Sequence, residues 1–226
     1  MRRETGEVGQ RFLDRDRKIL ALASGRRVLH LGCVGHTDFA AADRVRLARE
    51  TLHWKLGARA ETVGVDYARE VVEGYRAEGI FDNIVIGDVE RLDDLDLGRD
   101  FDLVIVADII EHLSNPGAML DGIRRLCGEG TRVIITTPHA FGLANVLRHV
   151  GGRFRDGADH VMTFNQDNIR NLLARHGFAI ERLDTCHQAQ ARRHGALFPL
   201  GRALFTALPR LGGTLFIVAS PSDAEA

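Results

Sequence analysis

Short runs rich in valine and isoleucine alternate with longer stretches of helical periodicity along the first two thirds of the chain. Such runs are typical of parallel strands that are covered by helices on both faces of a sheet. Five strands are predicted on this basis, at 27–32, 61–66, 83–88, 101–108 and 131–138. Helices are predicted between them, over 43–56, 68–78 and 116–126. This alternation indicates right-handed crossovers and a doubly wound α/β sheet.

The pattern changes after Pro138, where a glycine-containing loop precedes a helix predicted over 166–176. Gly177 is a typical residue to end that helix. Two further strands, at 178–184 and 214–221, follow without a crossover of the earlier kind. We therefore expect the sheet to end in an antiparallel pair.

Length and composition favour one globular domain over 1–226, because 45% of the residues are hydrophobic and 27% are charged. Within it we expect an N-terminal helix in 1–25 and a variable amphipathic, lid-like segment at 185–211. A solvated helix resting on the sheet is the default interpretation of that segment, and a substrate lid, a dimer surface and a weak membrane contact are the alternatives. Arginines and prolines interrupt the longest apolar stretch, 197–219, so a stable membrane span is not expected.

The charge and the cysteine content limit which binding partners and which cellular compartment are expected. Thirty basic and 31 acidic residues leave a net charge of -1, so no global field attracts nucleic acid, and no nucleic-acid partner is predicted. Three widely spaced cysteines fit neither a disulfide framework nor a zinc cluster, which favours a reducing, cytoplasmic location. We expect a monomer or a homodimer.

The candidate site residues follow the predicted strands. Ligands of an open α/β sheet bind outside the carboxyl ends of its strands. After the first strand, Gly32 and Gly35 would let backbone N–H groups approach a polar ligand. Asp66 ends the second strand, where a carboxylate can accept two ribose hydroxyls, and Asp88 after the third could accept an adenine amino group. This order indicates a nucleoside site.

Several segments resemble the successive motifs of class I S-adenosylmethionine-dependent methyltransferases: VLHLGCVG, VGVDY, GDVE, FDLVIVADIIEHLSNPGAML, RVIITTP and DHVMTFNQDNIRNLLARHGF. They are most similar to the small-molecule branch, of type 11 or 23, in which EHL follows the fourth strand. The resemblance covers about 26–184, and the terminal TLFIVAS resembles the reversed last strand of that fold. It implies a Rossmann-like, seven-stranded sheet of order 3-2-1-4-5-7-6, with strand 7 antiparallel, and S-adenosylmethionine as cofactor.

The resemblance implies cofactor contacts for nine residues: Gly32, Cys33, Gly35, Asp66, Tyr67, Asp88, Val89, Ala107 and Asp108. The glycines would contact the methionine part, while Tyr67 and Val89 would flank the adenine. Two departures concern the first motif. His30 stands where the family usually has an acid, and Val34 and His36 replace its second and third glycines.

A sulfonium is already an activated methyl donor, so the protein chiefly holds donor and acceptor about 3 to 3.5 Å apart and excludes water. An acceptor hydroxyl must also lose its proton, and His112, His139 and His160 are candidate bases. We favour His160, with Asp159 as its orienting partner, although it could instead tie its loop to the protein body. The catalytic candidates are therefore His160, His112 and Asp108.

No metal is predicted, because Glu111 and His112 are neighbours and would point apart on a helix. The favoured function is methyl transfer to an oxygen or nitrogen, less readily a carbon, of a small molecule. One alternative is an NAD(P)-dependent Rossmann oxidoreductase, of whose G-x-G-x-x-G fingerprint only Gly32 and Gly35 are present. A methyltransferase-like binding protein without catalysis is the other.

Overall fold

The computed structural model describes residues 11–35, 44–153, 157, 159–187 and 198–222. One eight-stranded sheet organises them, and its strands are β1 (Phe12–Asp14), β2 (Arg27–Leu31), β3 (Glu61–Asp66), β4 (Ile84–Ile86), β5 (Phe101–Ala107), β6 (Cys127–Pro138), β7 (Phe178–His187) and β8 (Thr214–Pro221). Their order is β1-β7-β8-β6-β5-β2-β3-β4. Strand β8 is antiparallel to β6 and β7, and the other pairs are parallel. The predicted seven-stranded order is confirmed, and β1 is added at one edge.

Helices connect the strands, and they are α1 (Arg15–Ala23), α2 (Arg44–Ala48), α3 (Leu52–Gly57), α4 (Arg69–Ala77), α5 (Pro116–Leu126), α6 (Leu143–Val150), α7 (Gln166–Arg175) and α8 (Phe198–Ala207). Helix α5 begins where predicted, because Pro116 occupies its first turn and the Asn115 side chain accepts the Ala118 N–H. No helix of the described ranges is long and apolar enough to cross a membrane.

Three local predictions differ from the structure. The helix predicted over 43–56 is two helices, because the Thr51 side chain accepts the Trp54 N–H and starts α3. The loop predicted after Pro138 contains α6. The N-terminal stretch is not helical throughout: Phe12–Asp14 pairs with β7 as a strand, and the Asp14 side chain then caps α1. Residues 1–10, 36–43 and 188–197 of the predicted segments lie outside the described residues.

Hydrophobic cores cover both faces of the sheet. Alternate side chains of β5 point to opposite faces, as the two-residue period of a strand requires. Val104 and Val106 lie in one core, which includes Met119 of α5. Leu103 and Ile105 lie in the other, which includes Ile19 of α1. Strands β2, β3, β4 and β5 are parallel to one another, so their carboxyl ends lie at the same edge of the sheet.

Candidate active site

The turn after β2 requires glycine at its start. Gly32 has a φ of +65° and Gly35 a φ of +75°, in the left-handed region that residues with a Cβ atom disfavour. A Cβ atom at Gly32 would also collide with the Ile109 side chain in the loop after β5. Backbone N–H of Gly32 donates to the Val65 carbonyl at 2.9 Å. The turn is therefore packed between the loops that follow the two neighbouring strands.

Asp66, at the end of β3, fixes this turn from the other side. Asp66 is only 6% exposed, and its Oδ2 accepts the Val34 N–H at 2.9 Å. Oδ1 accepts the Ala68 N–H at 3.0 Å. Each carboxylate oxygen has two lone pairs, so a ribose hydroxyl can bind in addition to these amides. The predicted ribose contact of Asp66 stays a prediction, and a structural role is added to it.

Two further predicted residues flank Asp66 at the sheet edge. Tyr67 follows it directly and is 81% exposed, which leaves its ring accessible to a planar ligand. Asp88 is exposed at the start of a 3-10 turn, and its Oδ1 accepts the Glu90 N–H at 2.9 Å. Gly87 N–H donates to the Asp66 carbonyl at 3.0 Å, which brings the loop after β4 against the loop after β3. Val89, the predicted adenine neighbour, is largely buried beside them.

Cys33 lies between the two glycines but faces inward. A Cβ atom at Gly64 of β3 would lie 2.6 Å from its sulfur, so the thiol lies against that strand. Burial raises the pKa of the Cys33 thiol well above its usual value, and the nearby Asp66 charge acts in the same direction. Any contact of Cys33 with a ligand in the cleft is therefore expected from its backbone.

His30, at the position where the family usually has an acid, belongs to a buried histidine pair. Its Nδ1 lies 3.3 Å from Nδ1 of His53 of α3, and the two rings are stacked. Burial lowers the pKa of His53 to about 4 and that of His30 well below its usual value. Two neutral imidazoles thus occupy the core behind the glycine turn.

Asp108, directly after Ala107 of β5, lies where the cleft meets α1. It has a φ of +54°, its Oδ1 accepts the Thr136 hydroxyl at 2.8 Å, and its Oδ2 pairs with the Arg15 guanidinium. Arg15 comes from the first turn of α1, 93 residues away along the chain. The ion pair holds the Asp108 carboxylate at the end of β5 and ties α1 to this edge of the sheet.

Glu111, His112 and His160 converge beside Asp108. Glu111 is 2% exposed, and its Oε2 accepts the Thr137 hydroxyl at 2.9 Å. Burial raises the pKa of Glu111 to about 7, and the negative charge of Asp108 acts in the same direction. The His112 and His160 rings are perpendicular, with centroids 4.7 Å apart. One nitrogen or carboxylate oxygen of each of the three residues lies within 4.8 Å of the others.

The expectation that Glu111 and His112 point apart was based on an α-helix, and the local structure differs. Ile110–His112 forms a 3-10 turn instead, and one ligand atom of each of the two side chains lies within 4.8 Å of the other and of His160. The Glu111 carbonyl accepts N–H groups of Val161 and Met162, at 3.0 and 3.1 Å, and thereby holds the later segment against this turn.

Asp159, the predicted partner of His160, pairs with His112. Nδ1 of His112 lies 3.2 Å from both the Oδ2 and the carbonyl oxygen of Asp159. His139, the third candidate base, is buried, and its Nδ1 lies 3.0 Å from the Gly212 carbonyl. Its contact ties the end of β6 to the turn before β8, so His112 and His160 are the histidines that meet at the site.

A family model described as a methyltransferase domain matches residues 2–183. The chain belongs to this methyltransferase family. The match spans well over half of the chain and confirms the resemblance to class I S-adenosylmethionine-dependent methyltransferases. The sheet order agrees, and the predicted enzyme class and cofactor are confirmed at the level of the family.

Curated relatives match a part of this methyltransferase. A ubiquinone biosynthesis O-methyltransferase of Xylella fastidiosa strain 9a5c is 27% identical over 134 residues. The alignment covers 58% of the chain and 49% of the relative, so the chain spans about half the length of the curated relatives it matches.

Solved structures support the fold. Magnesium protoporphyrin IX methyltransferase from Synechocystis PCC 6803, crystallised with SAH, superposes with a TM-score of 0.55 and 19% identity. That superposition covers 92% of this chain and 82% of the other. An S-adenosylmethionine-dependent methyltransferase from Clostridium acetobutylicum gives a TM-score of 0.57 at 12% identity, covering 92% and 88%. At these low sequence identities, the two solved structures show similarity of fold alone.

The structure adds residues to the site that the motifs did not indicate. Arg15 lies in the segment predicted as an N-terminal helix, and its pairing with Asp108 has no local signal. Thr136 and Thr137 were noted only as the end of a strand, yet their hydroxyls bind the carboxylates of Asp108 and Glu111. These hydrogen bonds orient both acids in the methyltransferase cleft.

Proposed function

We propose that this chain transfers the methyl group of S-adenosylmethionine to an oxygen or nitrogen of a small-molecule acceptor. The observation that carries the proposal is the row of groups along neighbouring strand ends. A glycine turn, two acids and an exposed aromatic ring lie at the ends of β2, β3 and β4, and an acid and histidine cluster lies after β5. The first set suits a nucleoside and the second an acceptor.

For the cofactor, we assign the adenosine to the edge formed by Asp66, Tyr67 and Asp88. Asp66 would accept ribose hydroxyls through its remaining lone pairs, and the exposed Asp88 carboxylate would accept the adenine amino group. The methionine part would lie along the turn from Gly32 to Gly35, whose backbone comes close to Ile109.

For the acceptor, we assign the side of the cleft next to Asp108, His112 and His160. In transfer to a hydroxyl, the acceptor oxygen forms a bond to the methyl carbon while the carbon–sulfur bond breaks and its electron pair stays on sulfur. The hydroxyl proton must leave the acceptor, and a ring nitrogen of His160 is the proposed proton acceptor. The name of the curated relative favours oxygen as the methylated atom.

Calorimetric titration with S-adenosylhomocysteine tests the cofactor site. We expect wild-type protein to bind it and Asp88→Asn to weaken binding about tenfold or more, because a charge-assisted hydrogen bond is lost. Asparagine still caps the following turn, so the fold is retained. Asp82→Asn is the matched control, since Asp82 is an exposed acid in the loop before β4. Preference for NADH over S-adenosylhomocysteine would favour the oxidoreductase alternative.

Turnover is tested by release of S-adenosylhomocysteine with a panel of phenols, catechols, carboxylic acids and amines. Product release with any of them excludes a purely binding role. His160→Ala is expected to lower the rate without changing affinity for S-adenosylhomocysteine. Unchanged rate and unchanged affinity in this variant would contradict the role given to His160.

A further inference from the structure

Three side chains of residue types that can bind metal ions lie close together, outside the edge proposed for the nucleoside. Their ligand atoms, one each from Glu111, His112 and His160, are all within 4.8 Å of one another. Three ligands around one ion at a bond length of about 2.1 Å are about 3.4 Å apart in tetrahedral geometry. Small side-chain rotations therefore suffice to close the set, and the perpendicular imidazole rings allow both nitrogens to approach one point without ring overlap.

The surroundings of these side chains resemble the outer sphere of protein metal sites, in which each ligand is oriented by a further hydrogen bond. The Thr137 hydroxyl donates to the Glu111 carboxylate at 2.9 Å. Nδ1 of His112 lies 3.2 Å from Asp159, and an Nδ1–H donated to this residue leaves the lone pair on Nε2. The Glu111 carbonyl binds the N–H groups of residues 161 and 162, directly after His160.

A cavity beside the cluster has room for a single ion or water molecule. This cavity of about 10 Å³ is lined by Glu111 and His160, with Asn145 of α6 among its polar neighbours. This volume is close to that needed by one water molecule. Glu111 is a buried carboxylate, and placing a cation beside it would offset the unfavourable burial of its negative charge.

We propose that Glu111, His112 and His160 bind one divalent transition-metal ion at the acceptor side of the cleft. Two imidazoles and one carboxylate suit ions such as Zn²⁺ and Mn²⁺ better than Mg²⁺, which prefers a shell of oxygen ligands. Three protein ligands leave positions open for other ligands, as in catalytic metal sites. The proposed function assigns the acceptor to this side of the cleft, so a role of the ion in the reaction rests on that function.

The ion would act on an acceptor hydroxyl or catechol. Coordination lowers the pKa of the bound hydroxyl, whose proton passes to water. The resulting oxygen anion forms the bond to the methyl carbon, and the carbon–sulfur bond breaks with its electron pair left on sulfur. In the metal-bound protein His160 acts as a ligand, and the ion takes over the activation otherwise assigned to this histidine as a base.

Metal binding is measured directly on chelator-treated full-length protein by calorimetric titration with Zn²⁺, Mn²⁺ and Mg²⁺. We expect one equivalent of Zn²⁺ or Mn²⁺ to bind more tightly than Mg²⁺. The double variant His112→Gln/His160→Gln should lose at least 100-fold in affinity. The matched control is His176→Gln, because Nδ1 of His176 lies 2.6 Å from an Asp121 carboxylate oxygen in a surface histidine–carboxylate pair between α7 and α5. It should bind as wild type does.

S-adenosylhomocysteine binding to the same metal-free samples reports on the fold and keeps the two proposals separate. The double variant should bind it as wild type does, which would show that its loss of metal binding is local. Failure of wild type to bind S-adenosylhomocysteine would count against the proposed function and leave the metal titration readable. The metal site is refuted if wild type binds no transition metal or binds Mg²⁺ more tightly. It is also refuted if the folded double variant retains wild-type metal affinity.

Discussion

Gly32→Ala should destabilise the protein by two separable effects. Its φ of +65° costs a residue with a Cβ atom about 1 to 2 kcal/mol. The new methyl group would also collide with the Ile109 side chain, and overpacking of this kind typically costs about 1 to 3 kcal/mol. We therefore expect a loss of about 2 to 5 kcal/mol in the free energy of unfolding, measured by urea denaturation, together with weaker S-adenosylhomocysteine binding.

Gly35→Ala is the matched control for the backbone effect. Its φ of +75° is similar, but nothing lies within 4 Å of a Cβ atom placed there. It should cost only about 1 to 2 kcal/mol. Ile109→Ala should remove the collision, so that a double-mutant cycle with Gly32→Ala gives a favourable coupling energy of about 1 kcal/mol or more. Equal losses for the two glycine variants, or a coupling energy of zero, would refute the reasoning.

Two further predictions concern stability. Burial lowers the pKa of His53 to about 4 in the folded protein, against about 6.5 in the unfolded chain, so the unfolded chain binds more protons between these pH values. Acidification from pH 6.5 to 4 should therefore cost about 3 kcal/mol, and urea melts of His53→Gln should show a shallower pH dependence than wild type. An equally steep dependence would contradict this assignment. Asn165→Ala should cost about 1 kcal/mol, since its side chain caps α7 by accepting two N–H groups, whereas Asn165→Asp should melt close to wild type.

The strands were predictable because their signal is local. A run such as Phe101–Ala107 is buried on both faces and is therefore almost wholly apolar. Such a run is visible in the sequence without knowing which strands lie beside it. Phe12–Asp14 has no such signal, because it is a strand only through its pairing with β7, more than 170 residues away. Helix α6 was missed for a related reason: it buries none of its residues, and glycines flank it on both sides.

The strand-end positions of Asp66 and Asp88, the two acids of the proposed cofactor site, were predictable for the same reason as the strands. Each acid directly follows its own strand, so strand position indicates where Asp66 and Asp88 lie. Contacts between distant loops have no such signal. The pairing of Arg15 with Asp108 and the hydrogen bond that the Val34 N–H donates to Asp66 depend on how the loops pack once the sheet has formed.

The proposed acceptor side shows what the spacing of residues alone does not predict. Consecutive side chains of an α-helix point about 100° apart, given 3.6 residues per turn, and a 3-10 turn with about three residues per turn separates them further. Glu111 and His112 nevertheless lie in one cluster with His160, because the Thr137 hydroxyl orients Glu111, Asp159 pairs with His112, and the Glu111 carbonyl anchors the residues after His160. These contacts come from segments distant along the chain, so the metal proposal depends on packing and not on the local turn.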